Sequence, residues 1–187
     1  FHPFHLHHFS RGEQAIVITS AAPLERLVSR IDGYPAVPWL AEKMGFDEQA
    51  LRERPSEVLN QTPVVFGTRS GNATFMRSVM NVRGDALLMG GAIEEGAIVY
   101  LMKGADIIDA TRNGMEAAIS LVPSASACLL FNCGGRMWEA TSLNKVEELA
   151  GAMGQLPCAG FTTYGEQFAT VQVNHTLTGL VFGRDHG

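Results

Sequence analysis

The stretch CAGFTTYGEQFATVQVNHTLTGLVFG, from Cys158 to Gly183, organises the rest of the chain. It covers most of one run rich in β-forming residues, 156–163, and all of a second, 171–182, with the polar segment Tyr164-Gly165-Glu166 after the first. A glycine between a phenol and a carboxylate lets the backbone turn sharply. The pattern therefore predicts a β-hairpin.

The second run alternates throughout, so its side chains are predicted to lie on two faces of one strand. One face would carry Val171, Val173, His175, Leu177, Gly179 and Val181. The other would carry Gln172, Asn174, Thr176, Thr178, Leu180 and Phe182. On this pattern His175 and Asn174 point in opposite directions.

Upstream of the hairpin, buried-looking strands alternate with helices. Residues 97–103, 127–132 and 157–163 are predicted strands, and 106–121 and 143–153 are predicted helices, with Asp106 as an N-cap. The order β-α-β-α-β-β predicts parallel neighbours joined by right-handed crossovers, with all three strands in one sheet. An Asn144–Glu147 capping box is predicted for the second helix.

The first half is rich in hairpins. Strands are predicted at 14–20, 26–31, 64–67, 74–82 and 86–89, with turns at 70–72 and 84–85. Pro35 opens a predicted helix that ends at Met44 before Gly45, and a second helix over 47–54 stops at Pro55, with loop at 60–63. The predicted fold class is therefore α+β, with a mixed β-sheet and helices.

Composition excludes several classes of protein. Apolar content of 46% and charged content of 18% are ordinary for a soluble core. A net charge of −5 without a basic stripe argues against nucleic-acid binding. No apolar run is long enough to span a bilayer, and no signal-peptide pattern is present. The three cysteines lack CxxC spacing, which favours a reducing cytoplasm over a disulfide framework or a zinc site.

A candidate ligand site follows the strand at 127–132. Gly134 and Gly135 would let a ligand approach the backbone closely. The planar guanidinium of Arg136 could bind a carboxylate or phosphate through two parallel hydrogen bonds. The alternative is a turn with a surface arginine. Cys133 could also be a nucleophile with His175 as its base, but no orienting third group is evident, so a buried structural thiol is the alternative.

The second turn supplies the complementary groups. Tyr164 and Glu166 could bind the amino group of a small zwitterion while Arg136 holds its carboxylate. Asn174 and Thr176 need partners if they are buried, and so could line the same site. The alternatives are a packed tyrosine with a solvated glutamate, a solvent-facing polar row, or an exposed Arg136–Glu166 ion pair.

The first nine residues contain His2, His5, His7 and His8. In an extended chain His5 and His7 would share a face and could share a metal. The alternative is a frayed terminus. A chain that begins at Phe1 is expected to be a piece of a longer protein.

Three motifs resemble the FIST domain family. GFTTYGE followed by NHTLT is similar to the C-terminal half of that domain, and Phe131, Cys133 and Arg136 match its Phe-x-Cys-x-x-Arg run. Arg77, in Phe75-Met76-Arg77-Ser78, resembles its aromatic-x-Arg-Ser run and could snorkel or meet Glu94 or Glu95. On this resemblance, residues 1–34 are the tail of the N-terminal half and 35–187 the C-terminal domain.

The resemblance implies a cytoplasmic sensory domain, not an enzyme, that binds a small amino-acid-like ligand. The partner would be a linked output domain such as a histidine kinase, cyclase or chemoreceptor, with no nucleic acid or membrane. An exposed apolar surface on the isolated piece would favour a homodimer. No cofactor or metal is expected. The alternative is a haem sensor with His175 as axial ligand, since some FIST-type proteins bind haem. The predicted ligand-binding residues are Arg77, Cys133, Gly134, Arg136, Tyr164, Glu166, Asn174 and Thr176.

Overall fold

The computed structural model describes residues 1–70 and 73–184. The chain forms two compact units. The central unit is Ser10–Lys103, and the terminal unit combines Phe1–Phe9 with the chain from Gly104 onward. The two units do not coincide with the boundary predicted at residue 34, and the assignment of residues 1–34 to an N-terminal half stays a prediction.

The described strands and helices occur in groups along the chain. The strands are β1 (His2–Leu6), β2 (Phe9–Ala22), β3 (Leu27–Ile31), β4 (Tyr34–Pro35), β5 (Val65–Ser70), β6 (Ala73–Arg83), β7 (Ala86–Met89), β8 (Ile98–Gly104), β9 (Ala125–Cys133), β10 (Cys158–Thr163), β11 (Glu166–Phe168), β12 (Val171–Val173) and β13 (Leu177–Gly183). The helices are α1 (Ala36–Met44), α2 (Glu48–Glu53), α3 (Pro55–Gln61), α4 (Ile107–Ser120), α5 (Gly134–Ser142) and α6 (Val146–Met153). Together they confirm the α+β class.

The central unit is built on a sheet with the order β2-β8-β5-β6-β7-β3-β4. Strands β2 and β3 pair antiparallel, as do β6 and β7, which confirms the hairpins predicted there. Helix α1 begins and ends where predicted, and Gly45 closes it with a left-handed φ of 67°. Of the turn predicted at 70–72, Gly71 and Asn72 lie outside the described residues.

The second predicted helix is confirmed, because α2 ends at Glu53 with Arg54 as its C-cap, before Pro55. Helix α3 was not predicted and begins at Pro55, where the missing N–H costs nothing at the first helical position. One prediction for this half is wrong. Strand β8 does not join the sheet of the later strands. It pairs antiparallel with β5 in the central unit, with Phe66 opposite Leu101. The continuous apolar run in β8 indicates a buried strand, but it does not indicate which of the two sheets the strand joins.

The terminal unit contains a mixed sheet with the order β1-β13-β9-β10. Strand β10 runs parallel to β9, while β13 is antiparallel to both β9 and β1. Alternate residues of these strands face α4 and form the core. That core comprises Phe4, Leu6, Met115, Ala118, Val122, Cys128, Leu130, Leu177 and Val181.

The predicted hairpin of 156–163 with 171–182 is wrong. Strands β10 and β13 lie on opposite sides of β9 and do not pair with each other. The second run is also not one strand, because His175 adopts a left-handed φ of 56° that separates β12 from β13. The short hairpin that does form joins β11 to β12, with Glu166 opposite Val173.

Helix α5 was not predicted from the sequence. It begins at Gly134, immediately after β9, where the two glycines suggested only a turn. The Asn144–Glu147 capping box is also wrong, since Asn144 has a left-handed φ of 56° and α6 begins after Lys145 without a side-chain cap. The cap of α4 is confirmed, because Asp106 Oδ1 accepts hydrogen bonds from the amides of Ile108 and Asp109.

The histidine-rich start is ordered rather than frayed. Strand β1 pairs with β13 over its whole length, and the His5 ring stacks on Phe168 with centroids 4.3 Å apart. His8 is 3% exposed. A metal shared by His5 and His7 stays a prediction.

No helix within residues 1–70 and 73–184 combines the length and the hydropathy that a bilayer crossing requires.

Two glycines of the terminal unit differ in the space around them, and this difference gives a testable prediction. A Cβ on Gly160 would collide with the backbone carbonyl of Leu130, so Gly160→Ala should lower the free energy of unfolding by about 2 kcal/mol. Gly151, on α6, has open space around its Cβ position, so Gly151→Ala should raise the same quantity by about 1 kcal/mol. Urea unfolding of both variants checks this. Equal effects would contradict the register described here.

Candidate functional site

The carboxyl ends of β9 and β10 lie side by side, with Thr163 opposite Cys133. Helix α5 continues directly from β9, and β10 continues into the turn at Tyr164-Gly165. The two segments that the sequence singled out therefore leave the same edge of the sheet. Adjacent carboxyl ends of parallel strands are where ligand sites form in α/β sheets.

Arg136, in the first turn of α5, is the centre of a buried network. Its side chain is 0% exposed. Nε donates to Asn132 Oδ1 at 2.9 Å, and Nη2 donates to Thr111 Oγ1 at 2.6 Å. Nη1 lies 3.4 Å from His8 Nδ1. Burial lowers the pKa of Arg136 to about 10, so the guanidinium remains charged at neutral pH.

Glu139 extends this network from the same side of α5, because it lies three residues after Arg136. Its carboxylate is 3.0 Å from His8 Nε2 and 2.8 Å from His175 Nε2. Burial alone would raise the pKa of Glu139, but hydrogen bonds from His175 and His8 outweigh it and hold the pKa at about 2. Burial lowers the pKa of His175 despite its contact with Glu139.

These contacts define the proton positions. Arginine can only donate, so His8 Nδ1 accepts from Arg136 and His8 Nε2 carries the proton given to Glu139. The cluster thus consists of a guanidinium, a carboxylate and two imidazoles that each point Nε2 at that carboxylate.

The same three residues, His8, Glu139 and His175, have ligand atoms within 4.8 Å of one another, a composition that metals favour. A metal bound at His8 Nε2 would require a proton on His8 Nδ1, which would then face a donor of Arg136. The arrangement therefore suits a hydrogen-bonded network better than a metal ion.

Haem ligation by His175 meets a similar obstacle. His175 Nε2, the atom an iron would take, lies against the Glu139 carboxylate. A Cβ on Gly135 would lie 2.7 Å from His175 Nδ1, so the backbone of α5 packs directly on the ring. The residues present do not fit a haem unless both contacts break.

A second network lies on the opposite face of β9. Glu166, 4% exposed, accepts hydrogen bonds from Thr163 Oγ1 and, at 2.6 Å, from Thr176 Oγ1. The Cys133 thiol also hydrogen-bonds Glu166, and its sulfur accepts from the backbone amide of His175 at 3.2 Å. Burial, followed by the charge of Glu166, raises the pKa of Cys133, and burial raises that of Glu166.

A cleft of about 390 Å³ lies between the β9–β10 pair and helices α5 and α6. Its lining residues are Leu130, Asn132, Met137, Ala150, Met153, Cys158, Ala159, Gly160, Phe161 and Thr162. Since Asn132 Oδ1 accepts from Arg136, its amide orientation is fixed. Asn132 Nδ2 is buried and has no hydrogen-bond partner among the described residues. A buried unpaired donor beside a cleft marks a place where a ligand atom can bind.

Comparison with known families gives a match over most of the chain. The family model of the FIST C domain matches residues 36–169, more than two thirds of the chain. The chain belongs to the FIST C domain family. FIST domains are associated with sensory functions in signal transduction, which gives the functional class of this chain. No curated protein and no solved structure gives a significant match.

The predicted site residues of this FIST C domain separate into several locations. Cys133, Glu166 and Thr176 come together as described, while Arg136 enters the other network. Arg136 is therefore not the surface arginine of the alternative interpretation, because α5 carries it into the interior, and its predicted contact with a ligand carboxylate stays a prediction. Gly134 is buried at the start of α5, against the carbonyl of Thr163.

The remaining predicted residues are less closely connected. Tyr164 is 88% exposed and packs on Trp138 with ring centroids 5.9 Å apart. Asn174 is 5% exposed, and its Oδ1 has no partner among the described residues. Arg77 lies on β6 of the central unit, where Nε donates to the carbonyl of Ala92 at 3.3 Å.

Sequence reasoning missed His8, Thr111, Asn132 and Glu139. The spacing of Arg136 and Glu139 would have placed both on one helical side had α5 been predicted. His8 had no recognisable signal, since its role depends on β1 pairing with β13. The match to the family ends before Asn174, His175 and Thr176, so these residues rest on the structure alone.

Proposed function

We propose that this FIST C domain is a cytoplasmic sensory domain that binds a small amino-acid-like ligand in the β9–β10 cleft and relays the event to a linked output domain. The observation that carries the proposal is the buried Asn132 Nδ2, which has no partner among the described residues and belongs to a residue that lines that cleft. An amide donor in this position would bind a carboxylate oxygen of the ligand.

The residues that line the cleft indicate the chemical character of the rest of the ligand. None of the described lining residues is charged, and Leu130, Met137 and Met153 offer an apolar surface. This composition suits an amino acid with an apolar side chain. Its ammonium group would find acceptors along β10, because an edge strand presents carbonyl groups that no neighbouring strand occupies.

Relay would begin at Asn132, whose other side-chain atom is held by Arg136. Through Arg136 the cleft connects to Thr111 on α4 and to His8 beside β1. A ligand that shifts the Asn132 amide would alter the geometry of a charged, buried group. The change would be transmitted because the buried Arg136 guanidinium has few alternative hydrogen-bond partners.

A binding role is favoured over catalysis by the surroundings of Cys133. A nucleophilic cysteine needs a stabilised thiolate, whereas burial and Glu166 raise the pKa of this thiol. Three cysteines without a disulfide also suit the cytoplasm.

The proposal predicts that filling the cleft abolishes binding. Ala150, exposed on α6 and part of the lining, can be changed to Phe without entering the core. A panel of amino acids and metabolites should contain a compound that raises the melting temperature of the wild type. The Ala150→Phe variant should lose that rise, and Glu148→Phe, on the far side of α6, should keep it.

Two outcomes would count against this site. If no compound stabilises the wild type, ligand binding by the isolated chain is refuted. If Ala150→Phe responds as the wild type does, the ligand binds elsewhere. The alternative location would be the 560 Å³ cleft of the central unit, which includes Asp32, Trp39 and Lys43.

A further inference from the structure

Two of the three cysteines face each other across the parallel strand pair. Cys158, the first residue of β10, is the register partner of Cys128 on β9. Register partners on adjacent strands point to the same face, and neighbouring strands lie about 4.8 Å apart. That separation falls within the range of roughly 4.4–6.8 Å between the Cα atoms of disulfide-bonded cysteines.

The two thiols differ in access to solvent. Cys158 is exposed, whereas Cys128 is 4% exposed in the core of the terminal unit. Burial, together with the proximity of Cys158, raises the pKa of Cys128. An oxidant would therefore react first with the exposed Cys158 thiol, and the buried Cys128 thiol would react second.

We infer that Cys128 and Cys158 form a reversible intramolecular disulfide, which makes this pair a redox-sensitive site. With a peroxide as oxidant, the Cys158 thiolate attacks one peroxide oxygen and becomes a sulfenic acid, and hydroxide leaves. The Cys128 thiol then attacks the Cys158 sulfur. A sulfur–sulfur bond forms, the S–OH bond breaks, and water leaves with the Cys128 proton.

Cys133 is excluded from this pairing by its position. It lies five residues after Cys128 on the same strand, so its side chain points to the opposite face. There its sulfur contacts Glu166 and the backbone amide of His175. A cross-strand pair at the sheet edge is also easier to reduce than a relaxed structural disulfide, which suits reversible use.

The disulfide would also change the candidate cleft. Cys158 lines that cleft, so oxidation would remove a thiol from its wall and tie β10 to β9. This consequence alone rests on the proposed function. The disulfide itself depends only on register and exposure, so mass spectrometry can detect it whether or not any ligand binds.

The test is oxidation of the purified chain with hydrogen peroxide, followed by alkylation and non-reducing digestion. Chymotrypsin cuts after Leu129, Leu130 and Phe131 and so separates Cys128 from Cys133. We expect a cross-linked peptide pair containing Cys128 and Cys158, lighter by two hydrogen atoms than the sum of its parts. Dithiothreitol should restore both thiols.

Variants give the matched comparison. Cys133→Ser should still form the cross-link, whereas Cys158→Ser should lose it and leave Cys128 available for alkylation after denaturation. Oxidation of Cys158 to sulfinic acid with Cys128 still a free thiol would overturn the inference. A Cys158–Cys158 disulfide between two chains, or a Cys133-containing cross-link, would overturn it equally.

Discussion

Replacing Arg136 with methionine is expected to lower the free energy of unfolding by about 4 kcal/mol. Methionine fills much of the same volume, so the loss comes chiefly from polar groups. Asn132 Oδ1, Thr111 Oγ1 and His8 Nδ1 would each lose a buried donor, and the Glu139 carboxylate would lose its nearby positive charge.

Arg112→Met is the matched control for this experiment. Arg112 lies on the surface of α4 and pairs with Asp109 at 2.9 Å, with about half of its side chain exposed. Such a pair contributes between about 0 and 1 kcal/mol. Urea unfolding of both variants should therefore separate them clearly. An Arg136→Met protein within about 1 kcal/mol of the wild type would mean that the buried network does not form.

The second large effect is a loss of stability in acid. Because the pKa of Glu139 falls from an ordinary 4.5 to about 2, its ionised form contributes about 3 kcal/mol above pH 4.5. That contribution should disappear as the pH falls from 4.5 toward 2. His175 adds to the same trend, since its pKa is lowered in the folded chain and the unfolded chain takes up the proton first below pH 6.5.

Glu139→Gln isolates the carboxylate. Glutamine has the same shape but does not titrate, so the variant should be less stable at pH 7 and should lose much less stability than the wild type between pH 4.5 and pH 2. Glu116→Gln, at an exposed position of α4, should follow the wild-type curve. Unfolding free energies at a series of pH values give the comparison. Parallel curves for Glu139→Gln and the wild type would contradict the proposed role of Glu139.

Part of the fold follows from sequence pattern because the signals were local. Continuous apolar runs identified β9 and β10, and alternation identified the strand residues of β13. Asp106 and Gly45 marked helix ends through their own side-chain or backbone chemistry. The parallel pairing of β9 and β10 followed from the helices between them.

The failures involve long-range pairing. Nothing in residues 171–182 shows that His175 would turn the chain, and nothing in β8 identifies β5 as its neighbour. The two glycines before Arg136 resembled a turn because glycine is a poor helix former, yet only a glycine at 135 leaves room for the His175 ring. Tertiary packing overrode the local preference.

The sequence identified the sheet edge where the ends of β9 and β10 meet, but not the contacts of the charged side chains there. The sequence placed Arg136 and Glu166 on adjoining segments, where they could bind a zwitterion or pair with each other. In the structure each is buried in a different network, on opposite faces of β9. Burial of a charged side chain depends on partners distant in sequence, such as His8, so a single sequence does not reveal it. Loss of binding in Arg136→Ala would consequently reflect lost stability as well as a lost contact.

The most direct test of the binding proposal is a calorimetric titration of the stabilising amino acid into the wild type and Asn132→Asp. Aspartate keeps an oxygen for Arg136 but replaces the unpaired donor with an acceptor. We expect the wild type to bind and Asn132→Asp to bind at least about 10-fold more weakly, with the Arg136 contact retained. Equal affinity in the two proteins would contradict the assignment of Asn132 as the ligand anchor.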